Sequence, residues 1–316
     1  MERETHRCEG YALHGGTRLR FVRWSGGTCE PTTHATGAGS CVPSGGAAAP
    51  SDSRRRPAPL VLLHGFAQSA ESWACVAPRL ARSRTVYALD LVGHGGSDRP
   101  ADPAAYGLDA QADALIAFLD EVAAGIGGPV VVGYSMGGRV ALAAALRDSS
   151  RLGALVLESA GLGPLTQAER DAAATADTAR ANRLRAQGVR SFMDDWERLP
   201  LFATQAGLPA AVRERLRAQR LANDAEALAR TFEGAGQHAM PGRAQALGRL
   251  RRAPFPVLYL CGGLDAKYRA QAEALARLEG ASNVSVEVVE GVGHNVHLEA
   301  PRAFARSLEA FLAHSA

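Results

Sequence analysis

Short runs dominated by apolar residues recur along the chain. The first of them, residues 60–63, is Leu-Val-Leu-Leu, and residues 129–132 are Pro-Val-Val-Val. Others of the same kind are found at residues 85–89, 152–157, 256–260 and 284–289. A strand that is apolar along its length must be buried on both faces, so these runs predict a parallel sheet. An earlier strand, residues 18–24, alternates in character and is expected to be half-buried.

Helix-forming segments separate these strands. They span residues 108–124, 136–147, 269–278 and 301–313. Alternation of strands and helices predicts an α/β class fold with a mostly parallel, doubly wound sheet. Between about Leu162 and Arg252 the alternation stops, and the chain is rich in Ala and Arg without buried strands. We interpret this stretch as a helical insertion, here called the cap, that covers the carboxyl ends of the strands, where such sheets bind ligands.

The pattern divides the chain into four parts. Residues 25–57 are rich in Gly, Ser, Thr, Pro and Ala and cannot bury much apolar surface, so they predict a mobile insertion. The predicted parts are an N-terminal strand region (1–24), this insertion (25–57), a core (58–161 and 253–316) and the cap (162–252).

Chain length, hydrophobic content and net charge indicate which kinds of partner to expect. With 316 residues, 47% of them hydrophobic, the chain can bury a sizeable core, and its net charge of +3 argues against a nucleic-acid partner. No apolar run approaches the roughly 18 residues that a membrane-spanning helix needs, and no secretory signal is evident. We therefore expect neither a membrane nor a nucleic-acid partner. Oligomeric state stays open, homo-oligomers included.

The cysteine pattern and the absence of nucleotide-binding motifs argue against several kinds of cofactor and metal site. Five cysteines are scattered without a C-x-x-C pair, which indicates free thiols in the cytoplasm rather than a zinc site or a disulfide framework. No G-x-G-x-x-G follows a strand, and no Walker sequence occurs. We expect no cofactor and no metal.

The residues after the strand at 129–132 carry the strongest chemical signal. Gly133-Tyr134-Ser135-Met136-Gly137 is a G-x-S-x-G element between a strand and a helix, the context of a nucleophile elbow. The sharp turn exposes the serine hydroxyl and leaves no room for side chains two residues to either side, hence the glycines. Ser135 is the predicted nucleophile.

An elbow serine needs an acid and a histidine, in that chain order. Asp265 follows the strand at 256–260, and His294 follows the strand at 284–289, so both lie at the carboxyl ends of strands. His297 is interpreted as a support residue or a core residue. The backbone N–H groups of Phe66 and Met136 are predicted to form the oxyanion hole, which stabilises negative charge on a substrate oxygen.

Several of these motifs together resemble the MenH family, α/β-hydrolase-fold lyases of menaquinone synthesis. The resemblance covers about residues 59–312. The similar segments include residues 133–139 with Arg139, Glu158-Ser159, Trp196 with Pro200-Leu201-Phe202, residues 265–268 and residues 293–301. It implies an α/β-hydrolase fold with a cap, and elimination of pyruvate from a succinyl-enolpyruvyl-hydroxycyclohexene carboxylate.

The same resemblance implies roles for single residues. Ser135, activated by His294 and with Asp265 orienting that histidine, would abstract the proton. A small carboxylate substrate would contact Tyr134, Arg139 and Trp196. Two positions depart from the family, in which arginines of the cap bind carboxylates. Ala173 and Glu233 stand where arginines are expected, and Arg170, Arg180 and Arg243 are the candidates to replace them.

Two other interpretations stay open. The same three residues suit a hydrolase that forms an acyl-enzyme with a less anionic ester, thioester or carbon–carbon bond substrate. A non-catalytic ligand-binding protein with this fold is the third, and the complete set of Ser135, Asp265 and His294 argues against it.

Overall fold

A computed structural model describes residues 5–26, 57–122 and 128–314. The predicted mobile insertion lies almost wholly outside them. Eight strands form one sheet: β1 (Thr5–His14), β2 (Thr17–Gly26), β3 (Leu60–Leu63), β4 (Val86–Leu89), β5 (Val130–Tyr134), β6 (Ala154–Glu158), β7 (Val257–Gly262) and β8 (Val284–Val289). Their order is β1-β2-β4-β3-β5-β6-β7-β8; β2 is antiparallel to both its neighbours, and β3 to β8 are parallel.

The N-terminal region differs from the prediction by one strand. Only β2 was expected there, yet β1 pairs with it through a two-residue turn at Gly15 and Gly16. Both glycines have positive φ, +55° and +82°, which is what the tightest hairpin turn requires. β1 is thus an edge strand on the far side of the sheet from β8.

Ten helices are described. They are α1 (Ala77–Leu80), α2 (Leu108–Val122), α3 (Met136–Arg147), α4 (Gln167–Trp196), α5 (Ala210–Leu221), α6 (Ala225–Ala235), α7 (Arg243–Leu250), α8 (Ala266–Ala276), α9 (Val296–Glu299) and α10 (Pro301–His314). Short 3-10 helices lie at Ala70–Cys75, Pro103–Tyr106, Ser149–Arg151, Pro200–Gly207 and Gln237–Ala239. α8 begins three residues earlier than predicted because the Asp265 carboxylate caps it, accepting from the Tyr268 N–H (3.4 Å).

Helices cover both faces of the sheet. Phe118 of α2 and Val140 of α3 belong to the core on one face, and Phe304 and Leu308 of α10 to the core on the other. Every residue of β3 to β7 is buried between them. Five of the six predicted apolar runs are therefore the central strands of a doubly wound α/β sheet. The prediction of burial on both faces was wrong for the sixth run, residues 284–289, which forms the edge strand β8 and has no fully buried residue, because β7 is its one partner strand in the described sheet.

The stretch between β6 and β7 contains the helices α4 to α7 and no strand. α4 is interrupted at Gly188, whose φ is +74°, and its two parts pack against α6 through Leu184, Phe192 and Phe232. Ala67, from the loop after β3, joins this cluster. The helical insertion thus packs over the carboxyl ends of the parallel strands.

Among the described residues, no helix combines the length and the apolar character that crossing a membrane requires.

Candidate active site

The turn between β5 and α3 holds Ser135 in a strained backbone conformation. Its φ is +51° and ψ −106°, a region that non-glycine residues rarely occupy. A Cβ at Gly133 would lie 2.5 Å from the Gly137 carbonyl oxygen, and one at Gly137 equally close to the Leu63 carbonyl oxygen. Only glycine fits at either place. The Ser135 N–H donates to the Glu158 carbonyl of β6 (2.9 Å), which fixes the turn to the neighbouring strand.

Ser135, His294 and Asp265 lie in one hydrogen-bonded line. His294 Nδ1 lies 2.6 Å from Asp265 Oδ2, and His294 Nε2 lies 3.1 Å from Ser135 Oγ. Since a carboxylate only accepts, Nδ1 carries the proton, and Nε2 is left to accept from the serine hydroxyl. Asp265 and His294 are buried, so water does not compete for their bond. The structure brings together the three side chains that the sequence predicts as a triad.

Two buried or half-buried glutamates hold the loop that carries His294. Glu299 accepts from the N–H groups on either side of the histidine, those of Gly293 (2.8 Å) and Asn295 (3.2 Å). Glu158, at the end of β6, accepts from the His297 N–H (2.9 Å) and lies 2.7 Å from His297 Nδ1. Sequence reasoning gave His297 a supporting role and assigned none to these acids. The sequence held one signal for this role. Glu158 is a carboxylate at the end of an apolar strand, and a buried carboxylate needs hydrogen-bond donors.

Phe66 and Met136, the predicted oxyanion donors, flank the same space. Both line the cavity at Ser135, and Met136 is the first residue of α3, where an N–H has no partner within the helix. The Phe66 loop is held by His64, whose ring lies 2.8 Å from the Gly65 carbonyl and accepts from the Leu91 N–H (3.0 Å). Burial lowers the pKa of His64 to about 4, so this support stays neutral.

A cavity of about 740 Å³ opens above Ser135 and His294. One of its walls is aromatic, with Phe66, Trp196, Phe202 and Phe232. The rings of Phe66 and Phe232 are 4.2 Å apart and those of Phe66 and Trp196 5.2 Å. Tyr134 and Tyr268 complete the surroundings of His294, with ring centres 5.2 and 5.0 Å from it. Such a wall suits an apolar or unsaturated ring.

Basic side chains also line the cavity: Arg139, Arg180, Arg220, Arg243 and Lys267. Two of them are paired with acids, Arg180 with Asp177 (2.7 Å) and Arg220 with Glu197 (3.0 Å). Arg139 donates to the Ala235 carbonyl (3.2 Å) and Arg243 to the Gly163 carbonyl (3.0 Å). Burial lowers the pKa of Arg139, yet an arginine stays charged in proteins. The cavity can therefore attract an anion.

The two positions that depart from the family pattern are clarified by the structure. Ala173 lines the cavity, so an uncharged methyl group stands there. Glu233 does not line it and instead pairs with Arg185 (2.6 Å). Among the three candidate replacements, Arg180 and Arg243 line the cavity, whereas Arg170 donates to the backbone, including the Met240 carbonyl (2.7 Å).

Comparisons with known proteins show which family the chain is similar to. The model of the alpha/beta hydrolase family matches residues 60–307. A putative 2-succinyl-6-hydroxy-2,4-cyclohexadiene-1-carboxylate synthase of Bacillus subtilis is 34% identical over 80% of this chain and 89% of its own. The synthase of Citrobacter koseri is 35% identical over 80% of this chain and 93% of its own.

Solved structures point the same way. MenH from S. aureus superposes with a TM-score of 0.77 and 29% identity, over 84% of this chain and 96% of its own. A thermophilic esterase from Thermogutta terrifontis, with a TM-score of 0.74 and 23% identity over 98% of this chain and 99% of its own, shares the fold. The chain belongs to the alpha/beta hydrolase family and, within it, to the 2-succinyl-6-hydroxy-2,4-cyclohexadiene-1-carboxylate synthases.

Proposed function

We propose that this chain eliminates pyruvate from 2-succinyl-5-enolpyruvyl-6-hydroxy-3-cyclohexene-1-carboxylate. The product is 2-succinyl-6-hydroxy-2,4-cyclohexadiene-1-carboxylate, an intermediate of menaquinone biosynthesis. The observation that carries the proposal is the Ser135 hydroxyl, bonded to His294 (3.1 Å) and facing a cavity with an aromatic wall and several cations. A ring bearing carboxylates matches both features, and the family's named product is such a ring.

In this mechanism, Ser135 removes a proton from the substrate ring. His294 Nε2 takes the hydroxyl proton of Ser135 as the serine oxygen attacks the C–H bond, and Asp265 holds the imidazole in the required tautomer. The C–H electron pair forms a new ring double bond, the double bond already in the ring shifts by one position, and the bond between the ring carbon and the enolpyruvyl oxygen breaks. The released enolate takes up a proton from His294 by way of Ser135 and becomes pyruvate. Thus every proton is returned and the residues are restored.

The rest of the predicted site binds the substrate. The N–H groups of Phe66 and Met136 stabilise negative charge that develops on a substrate oxygen during proton removal. Arg139, one helical turn after Ser135 on α3, pairs with a carboxylate near the reacting ring. Tyr134 and Trp196 contact the ring itself. Residues 162–252 act as a cap over the core, which comprises the described parts of residues 58–161 and 253–316, and β1 and β2 of the N-terminal region extend the sheet.

The proposed reaction takes place in the cytoplasm, with a small molecule as the partner. The five scattered cysteines form no recognisable disulfide framework, which favours a reducing compartment.

Pyruvate release tests the proposal. The purified full-length chain is incubated with the enolpyruvyl substrate, and pyruvate is followed with a coupled dehydrogenase. Ser135→Ala should lower the rate by on the order of 10³-fold or more, whereas Ser191→Ala, at an exposed cap position, should leave it unchanged. Hydrolysis of short-chain aryl esters without any pyruvate would reject the lyase and support the hydrolase alternative.

A further inference from the structure

The loop after β3 contains a tight turn of four residues, from Gly65 to Gln68. The Gln68 N–H donates to the Gly65 carbonyl (3.2 Å), and Ala67, the third residue, has a φ of +58°, a conformation that favours glycine. Ala67 is nonetheless fully buried, and its carbonyl accepts from Asn223 of the cap (3.0 Å). The cap therefore holds a strained turn in place, and strain that the surroundings fix in this way is common at functional sites.

This turn also fixes the side chain of Gln68. Its Oε1 accepts from the Gly65 N–H (3.3 Å), so the other terminal atom of the side chain is the amide nitrogen. Gln68 is only 2% exposed, yet it lines the cavity above Ser135. The amide nitrogen has no hydrogen-bond partner among the residues that the structure describes. Its two N–H donors are therefore free to bind a ligand in the cavity.

The Gln68 amide packs beside the nucleophile elbow. A Cβ at Gly65 would lie 2.5 Å from Cε1 of Tyr134 and 3.4 Å from Gln68 Oε1, so the amide is next to the ring of the residue that precedes the nucleophile. The backbones are joined as well, because the Gly137 N–H donates to the His64 carbonyl (3.1 Å). Turn and elbow are thus in direct contact, and the amide lies where they meet.

Proton removal in the proposed reaction places negative charge on a substrate oxygen. The 2-succinyl-2,4-diene product named for the relatives has a double bond at the ring carbon that bears the succinyl group, so that carbon is the one that loses the proton. The succinyl group is attached through a ketone carbonyl, and the charge is shared with its oxygen as an enolate. Donors aimed at this oxygen bind the enolate more strongly than the ketone, which lowers the barrier.

We propose that the side-chain amide of Gln68 is a third donor of the oxyanion hole, beside the N–H groups of Phe66 and Met136. This inference rests on the proposed function, which supplies the enolate. A neutral amide suits the position, because its hydrogen bond to a charged oxygen is about twice as strong as its hydrogen bond to an uncharged one. The strained turn holds the amide in place before the substrate arrives, so no reorganisation is needed during the reaction.

Three variants test this donor. Gln68→Leu removes the amide and keeps most of the side-chain volume, whereas Gln68→Glu keeps an acceptor for the Gly65 N–H and removes the two donors. Gln111→Leu is the matched control, since Gln111 is 1% exposed and its amide donates to the Tyr106 carbonyl (3.0 Å), outside this cavity. Two rates are measured on the full-length chain: pyruvate release from the enolpyruvyl substrate, and labelling of Ser135 by a fluorophosphonate, whose phosphoryl oxygen occupies the oxyanion hole.

Loss of the donor should lower the rates and leave substrate binding almost unchanged. In Gln68→Leu, kcat and the labelling rate should each fall by on the order of 10²-fold, with KM within about two-fold of wild type. Gln111→Leu should keep both rates. In Gln68→Glu a carboxylate faces the oxyanion, but a protonated carboxyl can donate. The ratio of its rates to those of wild type should therefore rise as the pH is lowered from about 8 to about 5, which a purely structural defect would not produce.

Failure of this donor and failure of the proposed reaction give different results. The donor is overturned if Gln68→Leu keeps the wild-type labelling rate, if Gln111→Leu slows labelling as much, or if the ratio for Gln68→Glu does not change with pH. Pyruvate release by wild type is unaffected by any of these. If Gln68→Leu does not fold, the pH dependence of Gln68→Glu decides alone. If wild type releases no pyruvate but Gln68→Leu slows labelling and Gln111→Leu does not, the donor stands and the proposed reaction is wrong.

Discussion

Replacing Glu158 by alanine should loosen the loop that carries His294. The carboxylate is fully buried and accepts from two donors of His297, its N–H (2.9 Å) and its Nδ1–H (2.7 Å). The Ser135 N–H bonds to the backbone of Glu158, so the substitution does not remove that contact. The perturbation is thus confined to the link between β6 and α9.

The expected size follows from the two donors left unpaired. Each buried donor without a partner costs about 1–3 kcal/mol. With two donors left unpaired, we therefore expect Glu158→Ala to lower the free energy of unfolding by about 2–6 kcal/mol. Glu158→Gln keeps one acceptor oxygen and should lose less. Glu309→Ala breaks an ion pair with Arg79 in which both side chains are 45% exposed, and it should change the stability little because solvent screens an exposed pair.

Two measurements separate stability from positioning. Urea unfolding is followed by tryptophan fluorescence, to which Trp73, stacked on His297 at 3.8 Å, contributes directly. The rate at which a fluorophosphonate labels Ser135 reports on the placement of His294, and it should fall in Glu158→Ala but not in Glu309→Ala. A Glu158→Ala variant within about 1 kcal/mol of wild type would refute the energetic reasoning. A large loss of stability with an unchanged labelling rate would show that the pair supports the fold without positioning His294.

Three other outcomes are expected. Burial lowers the pKa of His64 to about 4 and that of His94 to about 3, so the unfolded chain binds more protons below pH 6.5, and the free energy of unfolding should fall between pH 6.5 and 4 by up to about 1.4 kcal/mol per pH unit for each histidine. In urea titrations at a series of pH values, the free energy of unfolding of His94→Gln should change less steeply with pH than that of wild type, and an equal pH dependence would contradict this. Gly137→Ala places a Cβ 2.5 Å from a backbone carbonyl oxygen and should abolish labelling of the elbow serine, whereas Gly207→Ala, with nothing within 4 Å, should label normally; normal labelling of both would show that the turn can shift. Glu233→Gln should leave KM within about two-fold and cost about 0–1 kcal/mol, because an exposed ion pair outside the cavity contributes little; a marked fall in KM for the anionic substrate would mean that this carboxylate faces the ligand.

The central strands could be predicted from the sequence because burial on both faces excludes polar residues from them. β3 has the predicted bounds, and β4 to β7 differ by a residue or two at their ends. The edge strand β8 also has the predicted bounds, but it is not buried on both faces as predicted. β1 escaped prediction for the opposite reason. As an edge strand it leaves Tyr11 and Leu13 45% and 70% exposed, so its apolar residues do not mark a buried face.

Only part of the candidate site could be predicted from the sequence. The order of Ser135, Asp265 and His294 and their places at strand ends were enough to predict that they meet, since parallel strands end at one edge of a sheet. The directions of the cap side chains could not be predicted in this way. Glu233 points outwards to Arg185 and Arg243 points into the cavity because of how α4, α6 and α7 pack on each other, and helical periodicity does not state which neighbour a face will meet.

The hydrogen-bonded line of Ser135, His294 and Asp265 also bears on how the chain folds. Ser135 and His294 are 159 residues apart in the chain, and the cap is synthesised between them. Contacts between residues so far apart in the chain form slowly, because the entropic cost of closing the long loop must be offset before the contacts add stability. On the proposed mechanism, we therefore expect the serine to become reactive only once β5, β7 and the loop after β8 have assembled. The time course of its labelling during refolding would measure the arrival of these distant segments rather than the earlier growth of local helices.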